Sequence, residues 1–515
     1  MLTIDESQTA AFDVCLTAIQ ETSPRWSTYT DACYLLCLHA QKDISWVQAL
    51  RTEGAPEAIA ALEAEFASLE STILTRVEPG HPDFEEALAL ATPGRVLLDI
   101  RRKGTYKARG VKQGFKEDRI LADGPDFNYY AHVAKFVSVR TSLFRPNRGT
   151  RRVALKDVST AFLQADAYAD DVRKYVCFKW PTTGQWHYFK QSGPIYGEPS
   201  AVIRWENTIA PWFESVDFVR GENEPCCYNH AERDLLALLY VDDTMLDAEE
   251  DDIRWMSDAM DARFKCKETE WLSHDEPLDL LGMMLSEDEN AVYLSMYTYI
   301  MNTVQMLEWD TLKPVSTPMN SEIDSESPKL SAPLTRKFMT AVGCLGWLVN
   351  TGRPDVAHTH SRIAQHMANP TESALEAVKR CFAYLKGTAD LGLASMRSSD
   401  LDAKEYHWEF YCDSDFAGNC EVQNRRRSQN GYIALLNGAP VLWGSKVSSV
   451  AFVHPPIGEA HPDVSSGAAE VYAAANATFE FLHLSYVVDE LGIDFPVPFT
   501  LQTLPSRLQT ELPSN

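Results

Sequence analysis

The chain has 515 residues, of which 45% are hydrophobic and 23% charged, a balance typical of folded globular proteins that excludes wholesale disorder. This length exceeds one compact core, so several domains of ~100–200 residues are expected. The 47 Lys and Arg residues against 73 Asp and Glu residues give a net charge of −26, which excludes a generally basic nucleic-acid coat but permits local basic surfaces.

Other compositional features predict the compartment. A membrane-spanning helix needs ~20 consecutive apolar residues, and the sequence contains no such run. The first nine residues lack the basic and apolar regions of a secretory signal. The eleven cysteines include no CxxC pair, which argues against a disulfide scaffold or a zinc ribbon. We therefore expect an intracellular, cytoplasmic protein with access to the nucleus left open, neither secreted nor bound to a membrane.

Residues 1–90 are expected to form a helical, acidic N-terminal extension. Pro56 precedes apolar residues at three- and four-residue spacing, which predicts an amphipathic helix that buries Ile59, Leu62, Phe66 and Leu69. Two basic stretches follow. Residues 101–119 carry eight Lys and Arg against two acids, and residues 140–156 carry six with no acid. These stretches predict surfaces that oppose the net charge and could neutralise phosphates.

The central part of the chain contains acids at the ends of predicted strands. An apolar run at 235–241 leads into Asp242-Asp243, and apolar residues resume directly afterwards, which predicts two strands with the acids at the tip of their hairpin. Asp157 ends another short predicted strand, with Phe162 five residues on. Adjacent carboxylates in apolar surroundings are costly unless paired, and Mg²⁺ is a natural partner. The alternatives are a solvated turn at Asp242-Asp243 and an ordinary strand-end acid at Asp157.

The C-terminal part begins with a predicted linker at 316–335, which is rich in Ser, Pro and acids. Residues 336–395 read as helical, with Gly387 as a stop. A predicted strand then contains Asp413, and Asn437-Gly438 between apolar runs predicts a hairpin. A long helix with Glu470 near its start is expected to close at Gly492.

Eight segments in order resemble boxes of known polymerases. Tyr240-Val241-Asp242-Asp243 matches the YxDD box of reverse transcriptases, and residues 156–163 resemble the DVKTAFL segment of copia-type LTR retrotransposon polymerases. The other matching segments are residues 107–115, 193–199, 281–283, 313–318, 353–357 and 384–388. Together they identify a resemblance to the copia-type Pol polyprotein over roughly residues 100–490.

The resemblance implies an α+β multidomain fold, a right-hand polymerase followed by a connection and an RNase H-like α/β domain. The implied domains are a helical N-terminal extension at 1–90, fingers and palm at 91–310, a linker and helical thumb or connection at 311–400, and a truncated RNase H-like domain at 401–515. The implied activity is RNA-directed DNA polymerisation, with an RNA template, a DNA primer and deoxynucleoside triphosphates as partners. Retroelement particles are an implied location, and the oligomeric state is left open.

The resemblance also implies roles for single residues. Asp157, Asp242 and Asp243 would be catalytic and would hold two Mg²⁺ or Mn²⁺ ions. Phe162 would be the steric gate that rejects a 2′-hydroxyl group. The remaining implied contacts are Lys107, Arg109 and Tyr240 with the nucleotide, and Leu281, Gly282 and Met283 with the primer and template.

The chain departs from the family at two places. Glu198 replaces a Lys in a segment that the resemblance places beside nucleotide and template, which would weaken phosphate binding. In the RNase H-like domain, Asp413 and Glu470 match two metal-binding acids, but Leu504 stands at the position of the third. We therefore expect RNase H hydrolysis to be lost.

Two alternative functions remain open. The net charge, Glu198 and the incomplete C-terminal acids favour a decayed or co-opted retroelement remnant that keeps the fold and at most binds nucleic acid. A metal nuclease of unrelated fold is disfavoured by the ordered polymerase boxes.

Overall fold

The computed structural model describes residues 45–100, 105–145, 151–169, 171–273, 275–320, 322–396, 406–415, 427–448 and 466–503. These residues form two compact units. The N-terminal unit comprises the described residues up to Ala134 and from Ala154 to Glu270. The C-terminal unit comprises those from Lys135 to Val153 and from Trp271 onwards. The chain is a mixed α+β protein, as predicted, while the domain boundaries at residues 90, 310 and 400 remain predictions.

Helices and strands alternate along the chain. The helices are α1 (Trp46–Ala49), α2 (Ala55–Thr72), α3 (Phe84–Leu90), α4 (Arg119–Asp123), α5 (Phe136–Leu143), α6 (Ala201–Ser215), α7 (Glu250–Arg263), α8 (Tyr297–Met306), α9 (Ala332–Thr351), α10 (Ala357–Ala364), α11 (Glu372–Gly387) and α12 (Ser466–Glu490). The strands are β1 (Leu74–Val77), β2 (Thr92–Ile100), β3 (Tyr106–Lys112), β4 (Arg152–Asp157), β5 (Tyr175–Lys179), β6 (Trp186–Gln191), β7 (Val219–Arg220), β8 (Cys227–His230), β9 (Leu235–Tyr240), β10 (Asp243–Ala248), β11 (Glu270–Trp271), β12 (Leu278–Leu280), β13 (Met283–Glu287), β14 (Ala291–Ser295), β15 (Gly392–Met396), β16 (Trp408–Asp415), β17 (Gln429–Leu436), β18 (Ala439–Val447) and β19 (Leu501–Thr503).

The first sheet of the N-terminal unit has the strand order β1-β6-β5-β2-β3. Helix α2 packs on it, and its buried side chains Leu62, Phe66 and Leu69 share a core with Phe178 and Phe189 of the sheet. Burying each of these side chains contributes about 1.5–3 kcal/mol. The helix predicted from apolar spacing is thus confirmed, because that spacing places these residues on one face.

The second sheet has the order β11-β4-β10-β9-β8-β7. Its centre is the predicted hairpin: β9 and β10 pair antiparallel, with Tyr240 opposite Asp243 across a two-residue turn. Residues 235–239 are all buried, which explains their uninterrupted apolar sequence. The predicted strand–turn–strand structure is confirmed, and the sheet brings β4 directly beside β10.

The C-terminal unit contains helices α8 to α11 and a sheet of order β12-β13-β14-β15. The predicted helical segment ends at Gly387, as expected. Within the described ranges, no helix combines the length and apolar character needed to cross a membrane. A further sheet has the order β18-β17-β16-β19, in which β19 runs parallel to β16. The predicted hairpin at Asn437-Gly438 is confirmed, because both residues have positive φ angles (50° and 79°), as a tight two-residue turn requires.

Candidate active site

The end of β4 and the tip of the β9–β10 hairpin lie side by side. β4 ends at Asp157, and the amide of the next residue, Val158, donates a hydrogen bond to the carbonyl oxygen of Asp242 (2.9 Å). Asp243 begins β10. Asp157 is therefore carried by the same end of the sheet as Asp242-Asp243, which lie 85 residues later in the sequence, because β4 ends beside the start of β10.

A hydrogen bond from a tryptophan side chain stabilises the hairpin turn. Val241 has φ = 60°, which is rare for a β-branched residue and costs energy unless surrounding contacts hold it. Buried Trp205 on α6 donates its indole N–H to the carbonyl oxygen of Val241 (2.6 Å). This hydrogen bond fixes the orientation of the turn and hence of the acids that follow.

The electrostatics also place Asp157 and Asp242 together. Asp242 is exposed on one side. Surrounding protein nevertheless removes enough water to raise its pKa, and the negative charge of Asp157 raises that pKa further. Lys267 and Arg109 act in the opposite direction. Two like charges close to each other in this way are a suitable donor set for a hard divalent cation, which would relieve their repulsion.

Lys267 is a site residue that the sequence did not reveal. Its Nζ lies 2.6 Å from Oδ2 of Asp157, and its amide donates to the Asp157 carbonyl oxygen (2.9 Å). No recognisable motif marks this lysine, so only the fold shows its role as a counterion.

The three acids do not converge fully. Among the described residues, the only three possible ligand atoms found within 4.8 Å of one another belong to Glu117, Asp123 and Glu198. The oxygens of Asp157, Asp242 and Asp243 are therefore spread more widely. Their donor chemistry fits a divalent cation, whereas their spacing in this structure is looser than that of a closed site.

Phe162 lies on a 3₁₀ turn, Ala161–Gln164, that follows β4 and its last residue, Asp157. Its half-buried ring contacts the ring of Tyr196 edge to face, with centroids 5.8 Å apart. Arg109 on β3 is close enough to affect the pKa of Asp242. Lys107 and Arg109 both lower the pKa of Glu65, whose burial raises it.

The other residues predicted to contact the nucleotide, the primer or the template lie on different elements of the fold. Tyr240 ends β9, one residue before the turn, and is partly buried. Leu281 and Gly282 form a two-residue turn between β12 and Met283, with φ angles of 57° and 81°. This turn belongs to the C-terminal unit, whereas Asp157, Asp242 and Asp243 belong to the N-terminal unit.

Asp413 and Glu470 both lie close enough to Cys412 to affect its thiol. Burial raises the pKa of the Cys412 thiol, and the negative charges of Asp413 on β16 and Glu470 on α12 raise it further. Strand β19 pairs with β16 in a register that ends with Cys412 opposite Thr503. Leu504 lies outside the described residues.

Glu198 requires a correction. The resemblance implies a negative charge near phosphates at position 198, but the Glu198 side chain is fully buried. Lys174 donates to its Oε1 (2.6 Å), as does the Tyr168 hydroxyl (2.6 Å), and Gln191 donates to its Oε2 (2.9 Å). Burial alone would raise its pKa, but Lys112 and Lys174 lower that pKa to about 2. Glu198 is therefore a structural anion.

The surrounding acids and bases balance in number. We call the following six residues the charge network: Lys112, Glu117, Asp123, Lys174, Glu198 and Arg204. Lys112 pairs with Glu117, while Lys174 (2.8 Å) and Arg204 (2.7 Å) both pair with Asp123. Because three cationic side chains already neutralise the three acids, this group does not need a metal ion.

The second basic stretch also differs from expectation. Buried Arg140 donates to the carbonyl oxygen of Val441 (2.9 Å), and its guanidinium lies 4.0 Å from the centre of the Trp443 ring. Buried Lys156 pairs with Asp261 (2.8 Å). These two cations stabilise the protein interior and cannot neutralise a template, because internal contacts occupy them.

Comparisons with known proteins agree with the motifs. A family profile described as "Reverse transcriptase (RNA-dependent DNA polymerase)" matches residues 97–321. The retrovirus-related Pol polyprotein from transposon TNT 1-94 of Nicotiana tabacum is 26% identical over 75% of this chain and 28% of its own length. That from transposon RE1 of Arabidopsis thaliana is 27% identical over 76% of this chain and 25% of its own length. The chain thus spans about a quarter of the length of these curated relatives.

A solved structure is also similar. A foamy viral protease-reverse transcriptase in complex with double-stranded DNA has a TM-score of 0.47 and 10% identity, covering 84% of this chain and 61% of that one. Likeness at this level supports no conclusion about the site. The family profile over residues 97–321 and the Pol relatives together show that this chain is similar to copia-type retrotransposon Pol reverse transcriptases.

Proposed function

We propose that this chain is an RNA-directed DNA polymerase that adds deoxynucleotides to a primer 3′-hydroxyl group. The observation that carries the proposal is the adjacency of Asp157 and Asp242, seen in the Val158–Asp242 hydrogen bond and in the raised pKa of Asp242. Carboxylates at a strand end and a hairpin tip can share cations, and such sharing is the basis of two-metal nucleotidyl transfer.

Asp157, Asp242 and Asp243 would hold two Mg²⁺ or Mn²⁺ ions. When bound, such ions supply activation of the attacking hydroxyl and neutralise charge on the triphosphate and the leaving pyrophosphate. The fold contributes a rigid sheet that presents the acids and a Trp205 hydrogen bond that orients their turn. Lys267 balances Asp157 and competes with a cation for it.

Neighbouring side chains would select and orient the nucleotide. Phe162 follows Asp157 by one short turn, so its ring can block a 2′-hydroxyl group beside the acids. Arg109 faces the charge of Asp242 and can contact the triphosphate, with Lys107 on the same strand and Tyr240 at the hairpin as further contacts. A fixed guanidinium suits phosphate oxygens because it forms charge-assisted hydrogen bonds.

The turn at Leu281, Gly282 and Met283 is the proposed primer contact. The first basic stretch supplies Lys116 and Arg119 on the surface of the N-terminal unit, where they can neutralise phosphates.

The C-terminal sheet with α12 is proposed to be RNase H-like but inactive in hydrolysis. The RNase H-like fold is supported by the sheet, which has three antiparallel strands and a parallel fourth, and by the position of Asp413 and Glu470 near Cys412. The loss of hydrolysis is supported by Leu504 at the position of the third acid, since two carboxylates hold a metal pair poorly.

Primer extension on a homopolymeric RNA template tests the polymerase proposal. We expect incorporation that depends on Mg²⁺ or Mn²⁺ and is lost in the Asp242→Asn, Asp243→Asn double variant. Asp234→Asn is the matched control, because it removes an exposed negative charge at the opposite end of β9. Asp234 adopts a left-handed conformation (φ = 44°) that Asn also tolerates.

Equal incorporation by the double variant and the control would refute the assigned role of the acids. Absence of both incorporation and Mn²⁺ binding in the unaltered chain would instead favour a retroelement remnant that keeps the fold.

A further inference from the structure

Tyr196 lies in a turn that is hydrogen-bonded to the end of β3 and the residues that follow it. Its carbonyl oxygen accepts a hydrogen bond from the Lys112 amide (2.7 Å), and the carbonyl oxygen of Gly197 accepts one from Gly114 (3.2 Å). A Cβ atom on Gly197 would lie 2.2 Å from the Lys112 carbonyl oxygen, and Gly197 has φ = +80°. The turn can therefore approach β3 this closely only with glycine at position 197.

The charge network also holds the same turn, through Glu198. Glu198 follows Gly197, and its buried carboxylate is held by Lys174 at 2.6 Å and by Lys112 at 3.8 Å. Lys112 thus holds the turn twice, through its backbone amide at Tyr196 and through its ammonium group at Glu198. Water screens these buried ion pairs little, so their attraction helps to hold Glu198 in place.

The Tyr196 ring contacts the ring of Phe162, the residue proposed as the gate. It packs against Phe162 with ring centroids 5.8 Å apart and an interplanar angle of 60°. Burial raises the pKa of Tyr196 to about 12, and the charges of Asp242 and Asp157 are among the further causes. The tyrosine is therefore neutral at physiological pH and close to both acids.

We propose that Tyr196 is a positioning residue for nucleotide sugar selection, because its ring fixes that of Phe162 and the charge network around Glu198 fixes Tyr196. This inference rests on the proposed polymerase function and on Phe162 as the gate. An aromatic ring has two free side-chain torsions, and a gate excludes a single hydroxyl group only if its ring cannot turn away. The edge-to-face contact supplies that restraint.

The test compares single-nucleotide extension with dTTP and with UTP on a poly(rA) template. Tyr196→Ala is expected to raise the ratio of kcat/KM for UTP to that for dTTP at least about tenfold, mainly through a lower KM for UTP. Tyr196→Phe keeps the ring and should leave the ratio within about twofold of the unaltered chain. Phe162→Ala should raise the ratio further, and adding Tyr196→Ala to it should have little additional effect.

The network is tested by Tyr168→Phe, which removes only the hydroxyl that donates to Glu198. We expect a rise in the ratio in the same direction as Tyr196→Ala but smaller. The comparison variant is Asp83→Asn, which breaks the ion pair with Lys190 (2.7 Å) elsewhere in the same unit. It should leave the ratio unchanged.

An unchanged ratio in Tyr196→Ala, together with a raised ratio in Phe162→Ala, would overturn the inference while leaving the polymerase function intact. Thermal unfolding supplies a readout that does not depend on activity. The decrease in Tm in the Tyr196→Ala, Phe162→Ala double variant should be smaller than the sum of the decreases in the two single variants, because the rings contact each other. Additive losses would refute the contact even if the chain extends no primer.

Discussion

The ammonium group of Lys267 lies 2.6 Å from the carboxylate of Asp157. The proposed polymerase function would require a metal ion at that carboxylate. The lysine side chain is 59% exposed and that of Asp157 is 21% exposed, so the ion pair can open without disturbing the core. A divalent metal ion bound by Asp157, as the proposed function requires, would therefore compete with Lys267 for the same carboxylate.

Replacing Lys267 with Gln should tighten Mn²⁺ binding about three- to tenfold, because it removes both a competitor and a repelling positive charge. Titration calorimetry or the electron paramagnetic resonance of free Mn²⁺ measures the change. Lys265→Gln, also exposed and two residues away, is the control and should have little effect. Equal affinities in the two variants would contradict the competition.

The raised pKa of Asp242 predicts a dependence of stability on pH. A carboxyl group that binds its proton more readily in the folded state destabilises that state once ionised, so its effect grows as pH rises through the folded pKa. Asp242→Asn should therefore be more stable than the unaltered chain at pH 7, by less than about 1 kcal/mol because the group is partly exposed.

Urea unfolding at pH 7 and at pH 4 checks this expectation. The advantage of Asp242→Asn should shrink as the pH falls, since both proteins then carry a neutral group at position 242. An advantage that is constant with pH would be inconsistent with the electrostatic cause.

Glu198 should have the opposite dependence. Its folded pKa of about 2 lies below its ordinary value of 4.5, so its stabilising effect is complete above pH 4.5 and is lost as the pH falls towards 2. Glu198→Gln should lower the free energy of unfolding by about 3 kcal/mol at pH 7, because it leaves Lys112 and Lys174 without their buried anion, and the difference should shrink as the pH falls below 4.5.

Chemical denaturation from pH 7 to pH 3.5 measures that difference. Glu70→Gln breaks a partly exposed pair with Arg76 and serves as the comparison, with an expected cost of about 1 kcal/mol or less. Similar costs for the two substitutions would show that the charge network is not a buried electrostatic anchor.

Gly197 and Gly80 allow backbone strain to be separated from steric overlap. Both have positive φ, +80° and +100°, so alanine at either position costs about 1–2 kcal/mol. Only at Gly197 does the added Cβ meet an atom within 4 Å, whereas nothing lies that close at Gly80. Gly197→Ala should lower the free energy of unfolding by at least about 3 kcal/mol, clearly more than Gly80→Ala. Equal losses would show that the turn can move away from β3.

Local patterns in the sequence determined several elements without help from the rest of the fold. The apolar run before Asp242-Asp243 predicted a buried strand and a hairpin, and Asn437-Gly438 predicted a second tight turn. Helix α2 followed from its three- and four-residue spacing. Each of these depends on backbone geometry and on neighbours within a few residues, which the sequence states directly. The ordered boxes likewise predicted the similarity to reverse transcriptases that the family profile finds over residues 97–321.

The tertiary structure decided which charges are solvated. The resemblance places the segment of Glu198 beside nucleotide and template, and the charge of residues 140–156 predicts a basic surface, yet Glu198 and Arg140 are both buried. Their partners come from other parts of the chain: Lys112 and Lys174 for Glu198, Val441 and Trp443 for Arg140. Lys267 became recognisable only when the fold placed it against Asp157. A charge has no periodicity that reveals its partner, so its burial and its pKa depend on contacts that only the folded chain creates.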